Sequence, residues 1–238
     1  MKTLFTLLIV ILLGNISCNR TVLGRLSKLP CSVNQVRKSQ PIEINKEATK
    51  SLTIQYLGTG GLYLVRNNEG ILIDPFFSNQ KVFRLVTSVL FRCRNIRSSK
   101  KKVTFGLNAL DSAGGVKNGE LKAIFVAHSH YDHLLDVPAV YKETGSQATV
   151  YLNQSGYNIC NGVISLDKMV VIENHMTTNE TQRDPIVLNS SNGKVNIYPI
   201  LADHNPHLNH IKAFDGIITR PNTCFKNEYG KTRANDWL

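Results

Sequence analysis

The sequence has no Cys-x-x-Cys pair, no internal repeat at a fixed short period and no low-complexity tract. Its five cysteines, Cys18, Cys31, Cys93, Cys160 and Cys224, are widely spaced, which argues against a structural zinc site built from paired thiolates. The apolar run from Leu4 to Leu13 falls short of the ~20 residues that a membrane-spanning helix needs. Acidic residues are scarce: 17 Asp and Glu stand against 28 Lys and Arg, a formal charge of +11. None lies between Lys81 and Lys102, where Lys81, Arg84, Arg92, Arg94, Arg97, Lys100, Lys101 and Lys102 gather. With 42% apolar and 19% charged residues the composition is that of a folded chain, and disorder is excluded. A chain of 238 residues can bury one substantial core or two small ones.

The N-terminus has a short basic start at Lys2, the apolar run, then small and polar residues, the pattern of a secretory signal. Cys18 directly after Ser17 fits a bacterial lipoprotein site; plain export and an uncleaved anchor are the alternatives. The expected organisation is a signal over 1–18, a polar tether with Pro30 and Pro41 over 19–50, and a folded domain over 51–238. Export points to a periplasmic or outer-membrane lipoprotein, held to the membrane by its lipid. It also argues against nucleic acid as the partner of the basic block. Anionic headgroups or phosphorylated substrates suit that block better, and a solvated basic helix is the plain alternative.

"SLTIQYLGTGGLYLVRNNEGILIDPFF" reads as β structure. Leu52, Ile54 and Tyr56 alternate with polar residues as in a half-buried strand, Gly58, Gly60 and Gly61 make a bend, and Asn67, Asn68 and Gly70 mark a hairpin. "KVFRLVTSVLFRC" has the spacing of a basic amphipathic helix, and "LNALDSAGGVKNGEL" that of an irregular or helical connection. "KAIFVAHSH" predicts a buried strand and "DVPAVYKETG" a helix. "ATVYLN" and "KMVVIEN" predict further strands, and "PIVLNSSNGKVNIYPILADH" a hairpin ending in His204. This mixture predicts an α/β or α+β layered sandwich.

Three of the seven histidines fall within six positions, in "AIFVAHSHYDHLLDVPAV". Imidazoles two apart on a turn leaving a strand can share one cavity, with the following Asp and His at an adjoining position. Imidazole and carboxylate donors suit zinc. A chance cluster of surface histidines is the plain alternative.

His128, His130, Asp132 and His133 in the order His-x-His-x-Asp-His resemble the signature of the metallo-β-lactamase fold superfamily. "IQYLGTGGLYLV" is similar to the opening hairpin of its branch of ascorbate-6-phosphate lactonases and N-acylphosphatidylethanolamine-type phospholipases D. The resemblance implies an αββα sandwich in which His128 and His130 bind a first metal, and Asp132 and His133 a second. Asp74, ending "ILID", would orient the metal loop from behind through hydrogen bonds; a turn cap before Pro75 is the other reading. In "LADHNPH" His204 would be the third histidine on the first metal; His207 and His210 are alternatives for that role, or line a substrate cleft. The superfamily also supplies a later bridging aspartate and a final histidine. After His210 this chain has Asp215 before a predicted strand at "GIIT", Asp236 near the end, and no histidine. The expectation is therefore a sandwich incomplete at its C-terminus, with one tight zinc on His128, His130 and His204 and a weakly held second ion.

Three imidazoles and an open position make a catalytic zinc site that activates water near neutral pH, with Asp132 orienting or deprotonating that water. The implied activity is that of an exported zinc-dependent hydrolase acting on an ester, lactone, amide or phosphodiester. A lipid-like or phosphate-bearing small molecule is the expected substrate. The alternative is a catalytically inactive, membrane-tethered remnant of the fold that acts as a binding protein.

Overall fold

A computed structural model describes residues 52–80, 95–117, 120–176, 185–190, 193–201 and positions 218, 229, 232 and 233. All belong to one compact unit, Thr49–Leu238. The signal, the tether, the helix expected in "KVFRLVTSVLFRC" and His204, His207 and His210 lie outside the described residues.

The chain opens with strands β1 (Thr53–Gly58), β2 (Gly61–Arg66) and β3 (Glu69–Ile73). Both connections are tight. Asn67 and Asn68 have φ of 51° and 62° between paired Arg66 and Glu69, the two-residue turn whose twist suits a hairpin. A short strand β4 (Asn95–Ile96) and helix α1 (Lys100–Asp111) follow. Val103, Leu107 and Leu110 recur on one face of α1 and are buried. "LNALD" is thus regular helix, and the connection begins only at Ser112.

Next come β5 (Leu121–Phe125), the short helix α2 (Tyr131–Leu134), α3 (Val137–Glu143), β6 (Thr149–Leu152), α4 (Gln154–Cys160) and β7 (Met169–Val171). The Asn153 side chain caps α4 by accepting the Gly156 N–H at 2.8 Å. A hairpin of β8 (Ile186–Ser190) and β9 (Gly193–Ile197) stands apart from the main sheet, and β10 (Thr232–Arg233) pairs with β4.

The main sheet is mixed, in the order β1-β2-β3-β5-β6-β7. Its first three strands are antiparallel, and β3, β5, β6 and β7 are parallel. Parallel neighbours need crossovers, and those after β3, β5 and β6 contain helices. One sheet face packs on the helices, with Leu72, Ile124, Val150 and Leu152 against Val103, Leu134, Val140 and Ile159. The other holds Ala123, Phe125 and Tyr151 against Ile186 and Leu188 of the hairpin. Phe125 and Tyr151 stack with ring centroids 4.6 Å apart. Covered on both sides, β5 is apolar along nearly its whole length.

Two expectations need correction. β1 forms, but it is not half-buried: Leu52, Ile54 and Tyr56 are 53%, 60% and 70% exposed. It is an edge strand, and the apolar cluster that includes the hairpin draws its residues from β3, β5, β6 and β7. Ile218, the described residue of "GIIT", is not in a strand. Its N–H donates to Ser155 Oγ at 2.9 Å and its carbonyl accepts from Asn158 Nδ2 at 2.6 Å, so side chains of α4 hold its backbone.

Candidate metal and catalytic site

The site forms where parallel strands β3 and β5 end, the position at which open α/β sheets present their crevices. Asp74 follows β3, and its N–H donates to the Phe125 carbonyl at 2.9 Å, extending the ladder by one residue. Its backbone then turns into the left-handed region, with φ 44°, and its side chain is buried. An aspartate tolerates that region better than most residues, yet it carries local strain, which recurs at functional sites. The neighbouring turn leaves room for it. A Cβ on Gly61 would lie 2.8 Å from the Asp74 carbonyl oxygen, and the open side of Gly60 faces the His133 ring and the Asp74 carboxylate.

The Asp74 carboxylate works in two directions. Oδ1 accepts the Ala127 N–H at 2.8 Å, which fixes the chain just before His128. Oδ2 lies 2.9 Å from His133 Nδ1. That buried nitrogen makes no hydrogen bond of good geometry, so the contact is close but poorly aligned. Burial pushes the His133 ring down, but the Asp74 carboxylate, helped by Asp132, outweighs it and holds the pKa above the ordinary imidazole value. With Nδ1 toward Asp74, Nε2 is the end nearer Asp132, whose Oδ2 is 3.9 Å away.

His130 is the last extended residue before α2, and its carbonyl accepts from the His133 and Leu134 N–H groups at 3.0 and 2.9 Å. This turn brings His133 back over the strand ends. The His128 and His133 ring centroids are 4.1 Å apart, and those of His128 and His130 4.4 Å. All three rings and Asp132 are half-buried. Asp74, His128, His130, Asp132 and His133 are thus brought together past the ends of β3 and β5.

A sixth residue of the site was not legible as such. Asp136 is completely buried at the start of α3. Its carboxylate accepts the Phe77 and Ser78 N–H groups at 2.6 Å each, and the Ser98 hydroxyl. Ser78 Oγ in turn accepts the Ser99 N–H at 2.7 Å. The loop leaving Asp74, the segment entering α1 and the chain leaving α2 are therefore tied to one carboxylate. Burial holds that carboxyl above the usual carboxylate range despite its donors. The signal was the lone acid within "HLLDVPAV": a charge inside an apolar run must find partners.

Imidazole nitrogens and carboxylate oxygens are the donor set of a zinc-type ion, and a carboxylate behind a ligand histidine is its usual support. The arrangement is not a finished cage. His128 Nε2 and His130 Nδ1 lie 2.9 Å apart, as hydrogen-bond partners. Among the described residues no three His, Cys, Asp or Glu side chains are set to hold an ion together. Of the basic block, Arg97 and Lys100–Lys102 are described and exposed. Lys102 donates to the Asn79 carbonyl at 2.8 Å, and Lys100 lies 3.9 Å from Glu143. No described helix is long and apolar enough to cross a membrane.

No family model and no curated protein matches the sequence. Among solved structures, one described as the peroxy diiron species of the chemotaxis sensor ODP is similar at 14% identity, with a TM-score of 0.30. The likeness covers 51% of this chain and 45% of that one, so the chain spans less than half the length of the structure it matches. At that TM-score it carries no argument.

Proposed function

We propose that the chain is a zinc-dependent hydrolase of the metallo-β-lactamase type, with helices on one sheet face and the β8–β9 hairpin opening the second sheet of an αββα sandwich. The convergence of His128, His130 and His133 at the ends of β3 and β5, with Asp74 bracing His133, carries this reading. His128, His130 and His204 would hold the tight ion, and Asp132 with His133 a weaker one. Bound zinc supplies Lewis acidity and an acidic water. The chain's own residues do the rest. Asp74 fixes the ring of His133, Asp136 fixes the loop that carries Asp74, and the Asp132 carboxylate receives a proton from the attacking water. The substrate class is an ester, lactone, amide or phosphodiester, with a phosphate-bearing or lipid-like molecule favoured by the basic block. Export and a lipid anchor at Cys18 belong to the same proposal, with no nucleic-acid partner.

The short His128–His130 contact favours a second reading, a tethered binding protein without metal. Zinc titration of the purified chain, followed by assay on a generic phosphodiester and a generic ester, separates the two. About one tightly held zinc per chain with turnover supports the hydrolase. A chain that takes up no zinc is the binding protein.

A further inference from the structure

A cavity of about 340 Å³ opens at the other end of the same strands. Glu69 at the start and Ile71 in the middle of β3, and Lys122 near the start of β5, line it, whereas Asp74 and His128 follow the ends of those strands. At ~3.3 Å per residue the two places are roughly 15 Å apart along the sheet. The middle of the β8–β9 hairpin adds the cross-strand pair Leu188 and Val195, and the antiparallel edge adds Leu52 and Leu64. The walls are therefore aliphatic and the volume is that of a small-molecule site.

The polar rim is cationic. Arg66, Lys122 and Lys194 stand against a single acid, Glu69. Lys122 pairs with Glu69 at 3.5 Å. Arg66 and Lys194 are exposed and form no ion pair with a described residue. An apolar slot with unneutralised cations at its mouth complements an apolar chain that ends in negative charge.

We propose that this cavity binds a single-chain anionic amphiphile, its alkyl chain along Leu52, Leu64, Ile71, Leu188 and Val195 and its carboxylate or phosphate head at Arg66 and Lys194. The site is separate from the histidines and does not depend on the hydrolase reading.

The test is calorimetric titration of the full chain with monomeric dodecanoate and dodecyl phosphate below their micelle concentrations. Saturable one-to-one binding is expected, weakening about fourfold for each methylene removed in a series down to decanoate. Dodecanol should bind at least ~10-fold more weakly, since it lacks the charge-assisted contacts. Arg66→Glu and Lys194→Glu, both at exposed positions, should abolish that preference and leave dodecanol binding unchanged. His128→Ala should leave all of it unchanged; a loss of binding there would place the amphiphile at the histidines and overturn the cavity assignment. Affinity independent of chain length, equal binding of the alcohol, or binding only to phosphatidylglycerol vesicles and not to monomers would each overturn it as well.

Discussion

Leu72, Ile124 and Val150, in the parallel part of the main sheet, are completely buried, whereas Leu52, Ile54 and Tyr56 at its antiparallel edge are more than half exposed. Apart from Leu52, which directly precedes β1, both sets lie on strands. What differs is cover: helices and a hairpin enclose β3, β5 and β6, while among the described residues β1 has one neighbouring strand and no apolar layer over its alternate residues. The buried half can hold strained and charged groups in place, because tight packing leaves them nowhere to relax. Asp74 at φ 44° and the buried Asp136 both lie there. The open half exposes apolar side chains and, at Arg66, a cation. On the two proposals above, chemistry and capture would fall at opposite ends of the same strands.

The comparison breaks most severely at His128. His128→Ala should abolish zinc retention through gel filtration, because His130 and His204 alone cannot hold the ion tightly. Unchanged zinc content measured by mass spectrometry would remove the first metal from this half of the sheet.

Asp136→Ala comes next. It strands the Phe77 and Ser78 N–H groups and the Ser98 hydroxyl, and should cost about 2–3 kcal/mol, a fall in Tm of roughly 4–12 °C. Wild-type melting would show that the tie between loop and helix is dispensable. The same residue gives a pH signature. Burial raises its pKa in the folded chain, so the folded chain keeps this proton to higher pH than the unfolded one. Its contribution to stability is complete below the unfolded value of about 4 and is lost as pH rises through the folded value. Denaturant midpoints of wild type minus Asp136→Asn should therefore fall with rising pH across that window. A difference that stays flat would show the carboxyl to be unshifted.

How much of this could be read beforehand depended on the range of the signal. The strands of the main sheet announced themselves by local patterns: alternation at Leu52, Ile54 and Tyr56, "LYLV" and "ILID" flanking the Asn67–Asn68 turn, and the apolar run ending at His128. The same run placed His128, His130, Asp132 and His133 at a strand end. Helix α4 was missed because "QSGYNIC" is short and mostly polar, and its start rests on one side chain, Asn153. The role of Asp136 was missed because its partners are 38 to 59 residues away, and local patterns carry no such information. The exposure of β1 was missed for the converse reason. Alternation shows that a strand has an apolar face, but not that anything covers it.

Asp74→Ala tests the seam between the two halves, since Asp74 also adjoins the Gly60–Gly61 turn of the edge hairpin. It should leave zinc binding in place but weaken affinity or rate on the order of 10- to 100-fold, through a loosened His133 and Ala127. Competition with a chelator measures it, and wild-type affinity together with wild-type rate would make Asp74 only a structural turn residue.

The smallest effect sharpens the contrast itself. Ile54→Ser on the edge strand should change stability by no more than about 0.5 kcal/mol, whereas Ile124→Ala in the covered half should cost about 2–5 kcal/mol. The two isoleucines lie in one sheet and differ in exposure, 60% against 0%, so the ratio of their costs measures cover more than strand propensity. Denaturant titrations of both variants give the ratio directly. A loss near 2 kcal/mol for Ile54→Ser would mean that an apolar layer lies over β1 in solution. The open half would then be a second core, and the cavity beside Leu52 and Leu64 would be closed to any ligand.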